Sequence, residues 1–268
     1  MKPMKNKPKL SLKACPDTLP YLVLCLGLWM VLYGVPGELI KAGFADAVHV
    51  LFEGAAALAL LLATRNKAAW EAPRPAGRRP RYALLALAVI PLTLLIYVST
   101  QMFCLADGIP YVGDPEDHLG KGMYVWYALR TCATAPLMEE LGCRRIAFGG
   151  LRRMGIGFWP SALASAALFG FIHVGVSPCL AIATVAHTLL HCLVYETTGK
   201  LRYCVAGHVA YNMLTLPDRK VTTRWPHNLL FGVPRSVSVP FLAAVAAVIA
   251  ALCLFRTKLF FRDAPDVE

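Results

Sequence analysis

The chain has 268 residues, 57% of them apolar and only 16% charged, with a mean hydropathy of +0.54. A soluble domain carries about 25% charged and about 45–50% apolar residues, so this composition excludes a disordered chain, a secreted disulfide scaffold and a typical cytosolic enzyme. The net charge of +11 would point to nucleic acid in a soluble protein. Here the basic residues sit in short segments between apolar stretches, so they report topology and imply no nucleic-acid partner.

A bilayer core needs about 20 consecutive apolar residues per helix. Apolar windows predict eight transmembrane helices, at about 18–36, 46–64, 82–105, 123–151, 158–177, 179–196, 200–216 and 237–255. The fold class is therefore an all-α polytopic membrane protein. Residues 1–17 are basic and precede the first apolar run, but no small-x-small site follows it, so that run is expected to stay as a span. Residues 65–81, RNKAAWEAPRPAGRRPR, form the one clear linker. With the N-terminus in the cytoplasm, 20 of the 27 Lys and Arg residues fall on the cytoplasmic side. The expected topology is therefore N-in, C-in, in contact with membrane lipid. The chain is divided at 1–119 with N-terminal helices and the basic linker, 120–216, which the resemblance given below marks as a core, and 217–268 with a loop and C-terminal helix. The nine cysteines form no CxxC pair and read as small packing residues.

Ionisable groups inside spans are costly and mark functional sites by default. Most of them lie between Met138 and Asn212. In Met138-Glu139-Glu140-Leu141-Gly142-Cys143-Arg144-Arg145, Glu140 and Arg144 are four apart and share a helix face. Glu139 points about 100° away, without that partner, and is placed to act as a base. The competing explanation is a helix end at the cytoplasmic surface with solvated acids. Phe169-Gly170-Phe171-Ile172-His173 puts one imidazole on an apolar helix, where a satisfied buried histidine competes with a catalytic one. In His208-Val209-Ala210-Tyr211-Asn212 the i, i+4 spacing sets two donors side by side, able to serve one oxygen or to clasp neighbouring helices. His187 and His191 are also i, i+4, but Thr188 stands where a zincin has glutamate, so polar packing is favoured over a metal site. Glu53, His49 and Arg130 are further polar intrusions with no assigned role.

Glu-Glu-x-x-x-Arg, then Phe-x-x-x-His, then His-x-x-x-Asn on successive helices resembles the CPBP intramembrane protease family, which includes type II CAAX prenyl endopeptidases and bacteriocin-immunity (Abi) proteins. Tyr195-Glu196-Thr197-Thr198-Gly199-Lys200-Leu201 resembles that family's Thr-Gly turn between core helices. The resemblance covers roughly residues 120–216 and implies a four-helix catalytic core. It implies that Glu139 activates water with help from His173, and that His208 and Asn212 form the oxyanion hole. Glu140 and Arg144 would be structural, and Phe169 would pack in the site wall. The resemblance implies a glutamate mechanism with no cofactor, ahead of a zinc alternative on Glu139, His173 and His208. Two departures stand out: Cys143 and Arg145 flank the motif arginine, and His187 and His191 occupy a stretch usually apolar or glycine-rich. The expected function is endopeptidase cleavage of a membrane-associated peptide or lipid-modified protein. The rival readings are a non-catalytic immunity or scaffold protein, and a proton-coupled transporter, for which no internal repeat is seen.

Overall fold

The computed structural model describes residues 20, 23, 24, 27, 45–65, 77–106, 121–174, 178–216 and 232–263. Most of the expected first span, most of the 65–81 linker, and most of the 106–122 and 217–236 loops lie outside the described residues.

Among the described residues, seven helical runs follow one another. They are α1 (Ala45–Ala63), α2 (Tyr82–Ala106), α3 (residues 121–153), α4 (Phe158–Val174), α5 (Pro178–Thr198), α6 (Leu201–Thr215) and α7 (Arg235–Leu259). The run α3 changes pitch twice, with π-helical segments at Arg130–Thr134 and Leu141–Phe148 between α-helical Lys121–Leu129, Ala135–Glu140 and Gly149–Arg153. Among the described residues, four stretches are long and apolar enough to cross a membrane: Asp46–Ala63, Tyr82–Cys104, Pro178–Thr198 and Arg235–Leu259. These mark an integral membrane protein. The eight expected spans thus stand at four among the described residues. The run α3 falls short as an apolar span because it carries Arg130, Glu139, Glu140, Arg144 and Arg145, and α4 is a shorter apolar helix.

Helix α5 is the centre of the bundle. About 72% of its apolar window is buried, against 22–28% for the other three spans. Its neighbours α2, α4 and α7 share one core of Leu85, Ile96, Phe158, Leu190, Leu193 and Ile249. A second core joins α1, α3 and α4 through Leu60, Met138, Leu141, Ile146 and Phe169. Between helices in lipid the driving force is close packing and hydrogen bonding, which small residues permit. Helix α4 follows that rule: Ser161, Ala162, Ser165 and Ala166 are buried, and Ser165 Oγ donates to the Cys143 carbonyl at 2.9 Å. Gly170 serves the same end, since a Cβ there would lie 3.2 Å from the Ala181 carbonyl oxygen of α5. Among the described residues, the buried cysteines 104, 143, 192, 204 and 253 are thiols outside any disulfide and serve as packing groups.

Two short strands, β1 (Arg78–Pro80) and β2 (Phe261–Asp263), pair antiparallel and tie the start of α2 to the end of α7. The end of the expected linker is therefore paired backbone. Its arginines mask the signal, because three polar or proline residues carry no strand pattern.

The turn from α5 to α6 sets the site's register. Gly199 takes φ +66°, its N–H donates to the Tyr195 carbonyl at 2.7 Å, and the Lys200 N–H donates to Thr198 Oγ1 at 3.2 Å. A left-handed glycine closes a helix end this way without a Cβ penalty. The reversal makes α5 and α6 antiparallel neighbours, and residues equidistant from it share a level. His191 lies eight positions before Gly199 and His208 eight after Lys200, so both arrive at about 12 Å from the turn.

Candidate active site

Four helices contribute the polar centre, and Glu140 is its hub. Its Oε1 accepts from His191 Nδ1 at 3.0 Å and from His208 Nδ1 at 2.9 Å. Its Oε2 pairs with Arg144 Nε at 3.1 Å, and both side chains are fully buried. The expected i, i+4 pair on α3 is therefore formed, and the alternative of solvated acids at a helix end is overturned. Arg144 also donates to Thr188 Oγ1 at 3.4 Å and lies over the Phe169 ring, 4.6 Å from its centroid. A carboxylate accepts only, so each imidazole on Glu140 carries its proton on Nδ1 and turns its other edge elsewhere.

Glu139 faces away from Arg144 and meets His208 from the opposite edge, with Oε2 3.5 Å from Nε2. One imidazole thus bridges the two adjacent carboxylates. His173 donates Nδ1–H to the Phe169 carbonyl at 2.7 Å, one turn back on α4, which leaves Nε2 as an acceptor. Its ring packs 4.6 Å from that of Phe169, which also lies 5.7 Å from His208. Phe169 thus packs between the two imidazoles. Asn212 donates Nδ2–H to the Thr131 carbonyl at 2.7 Å, fixing α6 to the π-helical segment Arg130–Thr134. A π-turn displaces carbonyls from the α-helical ladder and recurs at functional sites.

The sequence reading missed several partners. Polar packing is expected for His191 and His187, but the hydrogen bond of His191 goes to Glu140; the two rings lie tilted at 40° with centroids 4.1 Å apart. Its distance from Glu140 in sequence hides the contact, which the α5–α6 register could have exposed. Arg130 binds Asp46 Oδ1 at 3.1 Å and Glu53 Oε1 at 3.3 Å, and Thr134 donates to Glu53 Oε2 at 2.7 Å. That second network joins α1 to the π-turn that holds Asn212. Arg145 donates to the Thr64 carbonyl at the end of α1.

For a metal, the donor geometry differs from the alternative set of Glu139, His173 and His208. Among the described residues, the group whose ligand atoms lie within 4.8 Å of one another is His187, His191 and His208. His173 is committed to the Phe169 carbonyl through Nδ1 and is not among them.

Fold and site together define a helical membrane protein whose costly polar groups converge on one buried centre drawn from α3, α4, α5 and α6. Residues 121–214 match the family described as type II CAAX prenyl endopeptidase Rce1-like, a protease family, and the CPBP resemblance holds over this segment. No curated protein and no solved structure was found to match the chain.

Proposed function

We propose that the chain is an intramembrane endopeptidase of the CAAX-protease type, hydrolysing a peptide bond near the C-terminus of a prenylated or otherwise membrane-anchored substrate. The observation that carries this reading is His208 bridging Glu139 and Glu140, inside the segment that matches a prenyl endopeptidase family.

The division of labour follows from the partners. Glu140 accepts from two imidazoles through Oε1 and faces the Arg144 guanidinium in a buried ion pair through Oε2, so it orients and does not react. Glu139 lacks those partners and takes the proton of the attacking water. The free Nε2 of His173 accepts the water's second hydrogen bond and helps aim it. Attack makes a tetrahedral oxyanion. His208, held by Glu140 through Nδ1, offers Nε2 to that oxygen, and the side-chain amide of Asn212, one turn along α6, is assigned to donate beside it; the oxyanion role uses the ring form with a proton on each nitrogen. The proton taken by Glu139 then passes to the leaving amine, and the bond breaks.

The test is cleavage of a farnesylated C-terminal peptide by the purified full chain in detergent, comparing wild type with Glu139→Gln and His208→Ala, each with and without a chelator. Loss of cleavage in both variants, with wild type untouched by chelator, supports the assignment. Normal cleavage by both variants overturns it. Loss on chelation, restored by zinc, moves the chemistry to a metal mechanism.

A further inference from the structure

We infer that His187, His191 and His208 form a binding site for a borderline transition cation of the zinc type, and that its occupation opposes hydrolysis. The site is built from α5 and α6 and is separate from the Glu139–His173 pair given the water-activating role.

Three observations converge. The ligand nitrogens of the three residues lie within 4.8 Å of one another, and all three side chains are buried. Zinc–nitrogen bonds of about 2.0–2.1 Å at tetrahedral angles place ligand nitrogens about 3.3 Å apart, so closure on an ion asks each nitrogen to move by about 1 Å or less. Second, His187 Nε2 is buried with no hydrogen-bond partner. Its ring is fixed among Phe169 at 5.7 Å, His208 at 4.7 Å and Tyr211 at 5.1 Å, so a donor atom is held in place with nothing to bind. A buried polar atom left in that state is costly and calls for a partner. Third, Glu140 stands beside two of the three rings, and carboxylates at this position fix ring orientation and raise the basicity of ligating imidazoles. Three imidazoles and an open position suit zinc, and imidazole sets equally take copper or nickel.

The consequence for catalysis rests on the reading above, because His208 belongs to both sets. A nitrogen that carries an ion cannot carry the proton that oxyanion donation uses. If the ion takes Nδ1, His208 leaves Glu140; if it takes Nε2, the donor aimed at the substrate is gone. Either way the ion competes with the reacting carbonyl for the same ring.

Binding is measured without substrate, so this inference and the protease reading fail separately. The full chain, purified in detergent and stripped of metal, is titrated with Zn²⁺ against a chromophoric chelator, alongside His187→Asn and His191→Asn. One ion per chain, with affinity reduced at least tenfold in each variant, is the expected result; undiminished binding in either variant overturns the site. Because a variant can misfold, Co²⁺ is added to wild type as a second readout. Intense tetrahedral d–d absorption is expected, and an octahedral spectrum alone overturns the three-histidine geometry. In the cleavage assay, one equivalent of Zn²⁺ is expected to lower the wild-type rate at least tenfold. Unchanged cleavage by zinc-loaded protein overturns the competition.

Discussion

His208 Nδ1 lies 2.9 Å from Glu140 Oε1, and the same oxygen takes His191 Nδ1 at 3.0 Å. One carboxylate on α3 thereby fixes α5 and α6 at a single point, with Arg144 balancing its charge. Removing one partner of a buried ion pair leaves the other uncompensated, at a cost of about 3–5 kcal/mol. Glu140→Gln keeps the shape but strips the charge opposite Arg144. It is expected to destabilise the chain by that order, read as a lowered midpoint of thermal unfolding in detergent. An unchanged midpoint would show that Glu140 is not the structural hub.

Glu139→Gln should separate the two adjacent acids. Glu139 is buried, and its ion-pair contact is with His208 at 3.5 Å, so an isosteric amide is expected to change stability by less than about 1 kcal/mol. A positioned general base contributes about 10²–10⁴-fold. Cleavage is therefore expected to fall by at least about 100-fold while the unfolding midpoint stays near wild type. Equal behaviour of Glu139→Gln and Glu140→Gln in both assays would contradict the assignment of roles.

Asn212→Ala is expected to lower kcat by about 10²–10³ with little change in KM, because a donor aimed at the oxyanion acts in the transition state. One of its bonds is to a backbone carbonyl, that of Thr131, which the substitution leaves in place. A rise in KM at constant kcat would instead place Asn212 in substrate binding.

Much of this centre was legible in the sequence because its spacings are local. Glu140 and Arg144, or His208 and Asn212, are one helical turn apart, and α-helical geometry alone puts each pair on one face. The α5–α6 reversal was legible in Thr198-Gly199, where a left-handed glycine ends the helix. What stayed hidden crosses between helices or breaks their pitch. His191 meets Glu140 from 51 positions away, and Arg130 meets Glu53 from 77. Neither π-helical segment of α3 has a local signature, since Arg130–Thr134 and Leu141–Phe148 read as ordinary helix formers and motif residues. The β1–β2 pairing was equally silent, being made by backbone groups of Arg78, Arg79 and Arg262.

The network on α1 gives the last expectation. Glu53 is almost fully buried and receives both Arg130 and Thr134, while Asp46 shares Arg130. Arg130 keeps about a quarter of its side chain exposed, so solvent screens the pair in part and the full cost of a buried ion pair does not apply. Glu53→Gln and Arg130→Met are each expected to destabilise by about 1–3 kcal/mol. The double variant should cost less than their sum, because residues in one network are coupled by about 0.5–3 kcal/mol. The carbonyl that holds Asn212 belongs to Thr131, next to Arg130 in the same π-turn, so both single variants are also expected to slow cleavage. Additive losses in thermal unfolding, with wild-type cleavage rates in both singles, would show that α1 neither couples to the π-turn nor positions Asn212.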